Sequence, residues 1–383
     1  MRVSGETEPI AISDGGYGQP IQGPRIEDHS MSEQRQLQNQ VRAYRIGRKW
    51  SQEELAVRAG ISRAGVSAIE MGRLVPSATA VLALAAALEC RVEDLFSLVA
   101  EGQSSGQWAW EPAGEPCRYW HASVAGRKLL YPIEPTCMPL AHEGIFHEGR
   151  FEDRSQVPAS DILVVASCDP ALGLLANEYH RLSGFHILAL QRPSREALSL
   201  LARGLVHVAG VHLERRGQHG GNAAAAREIL GDAFCLLRTA FWQDGLAVAS
   251  SRRVRSVQRA VDGRLRWVGR EPGSAAGELQ QELLCGRVPK HVARGHRNLA
   301  EAVRAGWADV GVCVRLASEE AGLDFLTVRE EACDLCFPAE GSGDPRVQAL
   351  VETVQSPAYR LVIRDLPGYD VSQTGELERV DCK

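Results

Sequence analysis

Between residues 161 and 314, short β-branched runs alternate with amphipathic stretches, a pattern few folds can accommodate. Ile162–Ala166, His186–Leu190 and Val206–His212 read as strands. Helical stretches at Ala171–Leu182 and Arg195–Arg203 separate them, and a third follows at Ala223–Leu230. Parallel neighbours need a crossover of about a dozen residues, usually a helix, so the alternation predicts a parallel sheet covered by helices. The pattern restarts near Leu265, with strands at Trp267–Val268 and Asp309–Val314 and helices at Ala275–Leu284 and Leu299–Ala305. Two α/β lobes within 161–375 predict a cleft between them, a usual place for a small ligand.

The chain has 383 residues, enough for more than one domain. Its longest nearly unbroken apolar stretch, Ala78–Leu88, falls short of the ~20 residues that span a bilayer. No basic-then-apolar leader precedes it, and the ten cysteines are scattered singly. These features predict a cytoplasmic protein with reduced thiols and no membrane partner.

A net charge of −5 argues against nucleic acid only until it is divided along the chain. Residues 1–33 carry two basic and six acidic side chains without apolar periodicity, and read as a disordered acidic tail. Residues 34–98 carry nine basic and six acidic side chains, with apolar residues at the spacing of about five short helices. Segment 99–160 reads as a linker followed by a β-hairpin over Cys117–Pro132, turning at Ala125-Gly126. Residues 376–383 read as a C-terminal tail. The fold class expected is multidomain: an all-α helix-turn-helix bundle, then a two-lobed α/β ligand-binding domain.

The basic island holds the most specific motif. Ser51 can cap a helix, with Glu54 at the spacing of a capping box, and Gly60 can end that helix in the left-handed region. Ser62 caps the next helix, whose inner face is Val66 and Ile69 and whose end is Gly72. Two short helices joined by a tight glycine turn form a helix-turn-helix whose second helix can enter a major groove.

Ser-Gln-Glu-Glu-Leu-Ala from Ser51, Ala-Gly-Ile-Ser-Arg from Ala59, Ala-Ile-Glu-x-Gly-Arg from Ala68, and Pro76-Ser77 all stand in register. Together they resemble the lambda-repressor and Cro type of domain, the xenobiotic-response-element family. That resemblance implies double-stranded operator DNA as partner and a homodimer as the binding form. It implies phosphate contacts by Ser51 and Gln52, and base-edge contacts by Arg63, Ala64, Ser67 and Ala68. Arg73 would lie near the backbone, Ser62 would join the DNA-facing set, and Arg45 and Glu70 would form a buried ion pair. Arg63 is the candidate for a bidentate guanine contact.

In the C-terminal segment, small polar residues stand where strands run into helices. Ser167 and Asp169 follow the first strand, Ser194 the second, and His212 ends the third. Ser274, Arg297 and Asn298 stand before helices of the second lobe. Hydroxyls, free helix-start amides and arginines suit a compact oxyanion or a small polar metabolite. Cys168-Asp-Pro-Ala-Leu172, His207-Val-Ala-Gly-Val-His-Leu213, Ala308-Asp-Val-Gly-Val312, Gly322-Leu-Asp-Phe325 and Gly368-Tyr-Asp370 resemble the type II periplasmic-binding-protein fold in its cytoplasmic form. This form is fused to helix-turn-helix domains and to molybdopterin-biosynthesis proteins. The resemblance implies sensing of a small molecule, with molybdate, tungstate or a molybdenum-cofactor metabolite foremost. Where that family has Gly-Ser-Gly, this chain reads Gly273-Ser-Ala-Ala-Gly277, which bears on Ser274.

Other signals carry less. Cys333-x-x-Cys336 has no second pair to complete a zinc site and reads as part of a strand. His142 and His147 are one residue too far apart for a zincin helix, and no nucleophile elbow is readable. Neither a metal nor a cofactor is expected. The function expected is a non-enzymatic, ligand-responsive transcriptional regulator. The alternative is an enzyme or carrier of molybdenum-cofactor metabolism with an appended DNA-binding head.

Overall fold

The computed structural model of the chain describes residues 35–100, 106–134, 142–155, 157–218, 220–231 and 233–381. The acidic tail expected over 1–33 lies outside the described residues.

The first unit contains β1 (Arg35–Asn39), α1 (Val41–Gly47), α2 (Gln52–Ala59), α3 (Arg63–Glu70), α4 (Ala78–Ala87), α5 (Val92–Leu95) and β2 (Phe96–Ala100). Ser51 and Glu54 form the reciprocal capping box expected of them: the Ser51 hydroxyl accepts from Glu54 N at 3.1 Å and the Glu54 carboxylate accepts from Ser51 N at 2.6 Å. Gly60 closes α2 at φ +65°, a value that a Cβ makes costly. Leu55, Val66, Ile69, Leu84, Leu88 and Leu95 make the core. The five helices agree with the apolar spacing, but the unit is not wholly helical. β1 pairs antiparallel with β2 and fastens its two ends together. Arg35–Asn39 is polar and has no strand alternation, so tertiary pairing rather than local propensity makes it a strand.

Next comes a five-stranded sheet of order β3-β5-β4-β6-β7, from β3 (Gln107–Trp108), β4 (Cys117–Val124), β5 (Arg127–Pro132), β6 (Gly144–His147) and β7 (Arg150–Asp153). The expected hairpin is β4–β5, turning at Ala125 and Gly126 with positive φ at both. Trp120 and Tyr131 of this sheet share a core with Leu188 and Leu198 of the following domain.

The two-lobed domain begins with β8 (Ile162–Ala166), α6 (Leu172–Ser183), β9 (His186–Leu190), α7 (Ser194–Ala202), β10 (Val208–Arg215) and α8 (Gly221–Leu230). A 15-residue strand, β11 (Phe234–Val248), carries the chain to the second lobe. There follow α9 (Val257–Asp262), β12 (Val268–Arg270), α10 (Ala275–Leu284), β13 (His291–Ala293), α11 (His296–Arg304), β14 (Val310–Val314) and α12 (Arg315–Glu320). A second 15-residue strand, β15 (Asp324–Pro338), returns to the first lobe. The chain closes with α13 (Pro345–Gln355), α14 (Pro357–Arg364), β16 (Tyr369–Asp370) and β17 (Leu377–Val380).

β8 pairs in parallel with β9 and β10, while β11 and β15 run antiparallel from one lobe to the other. Their register shifts twice, between Arg238 and Ala240 and between Asp244 and Gly245, where the paired ribbon passes between the lobes. The expected alternation is present, with β8 and β9 at the expected residues; the third strand starts at Val208 and runs on to Arg215, so His212 lies within it and not at its end as expected. The stretch expected as a C-terminal tail differs: Leu377–Val380 adds β17 to the edge of β11, because that edge offers free backbone groups along Phe234–Leu237. Cys333 and Cys336 both sit buried on β15, and three residues apart on a strand they point to opposite faces. Among the described residues, no group of three or more His, Cys, Asp or Glu side chains is arranged to hold a metal ion.

Candidate functional site

Three places matter: the outer face of α3, the interlobe cleft, and the joint between them.

On α3, Val66 and Ile69 turn into the core, which leaves Arg63 and Ala64 exposed and Ser67 and Ala68 half-buried on the opposite side. That is the face expected to meet base edges, and its side chains are small apart from one arginine. Ser62 caps α3 by accepting from Gly65 N at 3.0 Å. Arg73 is exposed just past the helix. The Arg45–Glu70 pair is present and buried, with Arg45 donating through Nε at 2.6 Å and a second guanidinium nitrogen at 3.0 Å. Gln52 donates its amide to the same Glu70 carboxylate at 2.8 Å, so this side chain braces α3 in addition to standing at the start of α2. Ser51 is exposed, its hydroxyl used in the capping box.

In the cleft, the structure gathers a buried line of polar groups. His212, within β10, contacts Cys168 Sγ through Nε2 at 2.9 Å and Glu331 through Nδ1 at 2.9 Å. Trp242 Nε1 donates to the same Glu331 oxygen at 3.1 Å, and Arg329 reaches the other at 2.5 Å. Burial opposes a charge on the His212 ring, but Cys168 and Glu331 outweigh it and raise its pKa well above the usual imidazole value. Burial likewise works against the Glu331 carboxylate, yet His212 and Arg329 hold its pKa below the ordinary range. Asp244 behaves oppositely: burial first, then the nearby Glu331 charge, push it up to about 7.

The second lobe contributes Arg270, which donates to both oxygens of Glu271 at 3.0 and 3.1 Å. Glu271 also accepts from Gly295 N, the amide at the start of α11, at 3.2 Å. His296 Nδ1 accepts from Val314 N at 3.2 Å and faces Arg270 at 3.1 Å, so its proton lies on Nε2. Burial and Arg270 lower its pKa well below the usual value, in keeping with a neutral ring. His296 Nε2, Arg329 Nε and Asp244 Oδ2 are buried with no hydrogen-bond partner among the described residues.

The seven residues expected to hold a ligand fall into two sets. Ser194 is fully buried and accepts from His212 N at 3.2 Å, so these two meet. Ser167 and Asp169 flank Cys168, and Asp169 accepts from the Tyr369 hydroxyl at 2.7 Å. Ser274 caps α10, its hydroxyl accepting from Gly277 N and donating to Glu271 O. Arg297 and Asn298 point outward: Arg297 bonds Glu320 and the Pro170 carbonyl, and Asn298 bonds the Arg294 carbonyl. Arg297 lines a surface cavity of about 390 Å³ with Pro170, Asn177 and Glu320, outside the buried line. The inward position on α11 is His296, as Leu299, Ala300 and Val303 at three, four and seven residues further on would have indicated. Trp242, Asp244, Arg329 and Glu331 were missed altogether. Trp242 and Asp244 stand among apolar residues of β11, which was a usable signal, whereas Arg329-Glu330-Glu331 reads as a solvated run of charges and gave none.

The lobes are drawn together across this line. Arg215 on β10 pairs with both Glu282 oxygens on α10 at 2.8 and 2.9 Å. Arg195 lies 3.7 Å from Glu278, and Arg297 donates across to Pro170 O at 3.2 Å.

The joint is on α1. Arg42 donates to Asp161 at 2.5 Å and to the Gly184 carbonyl at 2.5 Å, and lies 5.5 Å from the centre of the Phe185 ring. Ile46, four residues on, packs against the core of the two-lobed domain, and Lys49 pairs with Glu352 at 2.7 Å.

Residues 41–95 match the Helix-turn-helix family and residues 176–355 the PBP superfamily domain. A curated protein from Clostridium pasteurianum, described as an uncharacterized protein in the ferredoxin 2Fe-2S gene 5′ region, is 29% identical over 87 residues. The match spans 21% of this chain and 74% of that protein. Among solved structures, the chain is similar to a methylphosphonate complex from Prochlorococcus marinus at 10% identity and TM-score 0.40, covering 55% of this chain and 92% of that one. It is similar to an ABC-type phosphate transport receptor from Vibrio cholerae at 12% identity and TM-score 0.39, covering 55% and 99%. A tungstate ABC transporter structure from Geobacter sulfurreducens matches at 11% identity and TM-score 0.40, covering 53% and 98%. No helix among the described residues is long and apolar enough to cross a membrane. The chain carries a helix-turn-helix domain of the xenobiotic-response-element type followed by a two-lobed domain of the PBP superfamily.

Proposed function

We propose that the chain is a cytoplasmic, ligand-responsive transcriptional regulator that binds operator DNA as a homodimer and takes a small anion into the interlobe cleft. One observation carries this reading: Arg42 joins the DNA-binding unit to Asp161 and Gly184, the far ends of β8 and α6. The near ends of those elements bracket Cys168 and Asp169, which meet His212 and Tyr369 in the buried line. A change in the cleft therefore has a short, stiff route to the head that carries α3.

The anion preference is supported by unpartnered donors, His296 Nε2 and Arg329 Nε, and by a carboxylate, Glu271, seated against Arg270 and the first amide of α11. Groups that hold an internal carboxylate in this way also suit an external oxyanion. Molybdate and tungstate are the anions to test first. In thermal unfolding, an effector at ~100 times its dissociation constant stabilises the native state by ~2.7 kcal/mol. Gel-shift titration with the protein's own promoter DNA tests the other half. Specific, salt-sensitive binding is expected, and equal affinity for scrambled DNA would overturn the proposal.

A further inference from the structure

We propose that Cys168 is an oxidant-reactive thiol, activated by His212 and Glu331, whose modification by a small hydroperoxide acts on the cleft. The three side chains form a nucleophile, a base and an orienting carboxylate, with both contacts at 2.9 Å. Glu331 is itself fixed by Trp242 and Arg329, so the imidazole has little freedom to turn away from the sulfur. The hydrogen bonds of Cys90, Cys117, Cys285, Cys313 and Cys333 all go to backbone carbonyls instead. A thiol buried for packing alone needs no imidazole at its sulfur.

The chemistry balances within this cluster and one peroxide. The one proton between Sγ and Nε2 is held on the ring as the sulfur attacks the near peroxide oxygen. The S–O bond forms and the O–O bond breaks, and the departing hydroxide takes the Nε2 proton to leave as water. Sulfur is oxidised to a sulfenic acid and the peroxide is reduced. The class of oxidant follows from access: Cys168 is 4% exposed between closed lobes, which favours a molecule not much larger than water. The added oxygen has to displace His212 or part the lobes. The chemistry at Cys168 is independent of the regulator reading, and only its effect on DNA binding rests on that reading.

The test treats the full chain with hydrogen peroxide, traps sulfenic acid with dimedone and locates it by peptide mass spectrometry. Cys168 is expected to be trapped ahead of the exposed Cys285, and His212→Gln to slow the reaction about a hundredfold. Trapping at Cys285 while Cys168 stays a thiol, or an unchanged rate in His212→Gln, would overturn the proposal. Should His212→Gln fail to fold, Glu331→Gln keeps the shape of the triad and removes its anchoring charge. A several-fold slower reaction is expected there, and an unchanged rate contradicts the proposal equally. A gel shift on the reduced protein separates the two readings. Specific DNA binding without Cys168 oxidation removes this inference alone, and oxidation without DNA binding removes the regulator.

Discussion

Arg42 and Asp161 stand 119 residues apart in sequence and 2.5 Å apart in space, and their contact joins the DNA-binding unit to the ligand-binding one. The carboxylate is nearly buried, with 4% of its side chain exposed, whereas the guanidinium keeps 26%. Asp161 heads β8, and β8 delivers Ser167, Cys168 and Asp169 to the cleft. The same guanidinium holds the carbonyl of Gly184, the C-cap of α6. A single side chain thus fixes the outer ends of two elements whose inner ends bracket Cys168.

Arg42→Ala leaves the Asp161 carboxyl buried without its cation and opens the α1 contact. We expect a loss of about 2 kcal/mol in the stability of the joined units, measured by urea unfolding of the full chain. Unchanged stability would mean that solvent already screens the pair.

The Arg45–Glu70 pair is buried on both sides, at 9% and 4% exposure, and Gln52 depends on it. Removing one partner strands a charge in the core of the DNA-binding unit, at a cost of about 3–5 kcal/mol. Arg45→Ala is therefore expected to unfold that unit before the two-lobed domain. Two separated transitions in thermal unfolding, where the wild type is compared under the same conditions, check this.

Arg63→Ala removes the one long donor on the outer face of α3. Operator affinity is expected to fall by about 1–3 kcal/mol, with relaxed preference at one base pair. Binding to non-specific DNA is expected to change far less. Equal losses on both DNAs would make Arg63 a phosphate contact.

Asp244 sits in the hinge with its pKa raised to about 7 from an ordinary value of 3.8, by burial and by Glu331. The folded state therefore holds this proton more tightly than the unfolded chain. Its stabilising effect is complete below pH ~4 and lost as pH rises through ~7. Asp244→Asn, which keeps the shape and removes the charge, is expected to melt higher than wild type at pH 8 and nearly equally at pH 4. The reverse order at pH 8 would show that the carboxylate is stabilised in the hinge.

Most of the architecture was legible because periodicity is a local property. The capping box at Ser51 and Glu54 and the left-handed Gly60 need only neighbours, and the strand-helix alternation from Ile162 needs only a window of residues. What failed was non-local. Arg35–Asn39 and Leu377–Val380 become strands because a distant edge receives them, and nothing in their own composition says so. The cleft was half legible: Ser194 and His212 were found at a strand edge and meet in space. Glu331 and Trp242 come from the two long crossing strands, which sequence reading does not bring together. On α11 the expectation fell on Arg297 and Asn298, while the amphipathic face turns His296 inward.

The central claim is that lobe closure reaches the DNA-binding unit through Arg42, and it can be tested without knowing the effector. Arg215→Glu breaks the Arg215–Glu282 pair that ties the lobes, and adding Glu282→Arg restores a pair of reversed sign. Operator affinity of the full chain, measured by gel shift at fixed salt, is expected to change about fivefold or more in Arg215→Glu. It should return towards wild type in the double variant and show no such change when Arg215→Glu is made in an Arg42→Ala background. An equal change with and without Arg42, or none in Arg215→Glu, would contradict the account.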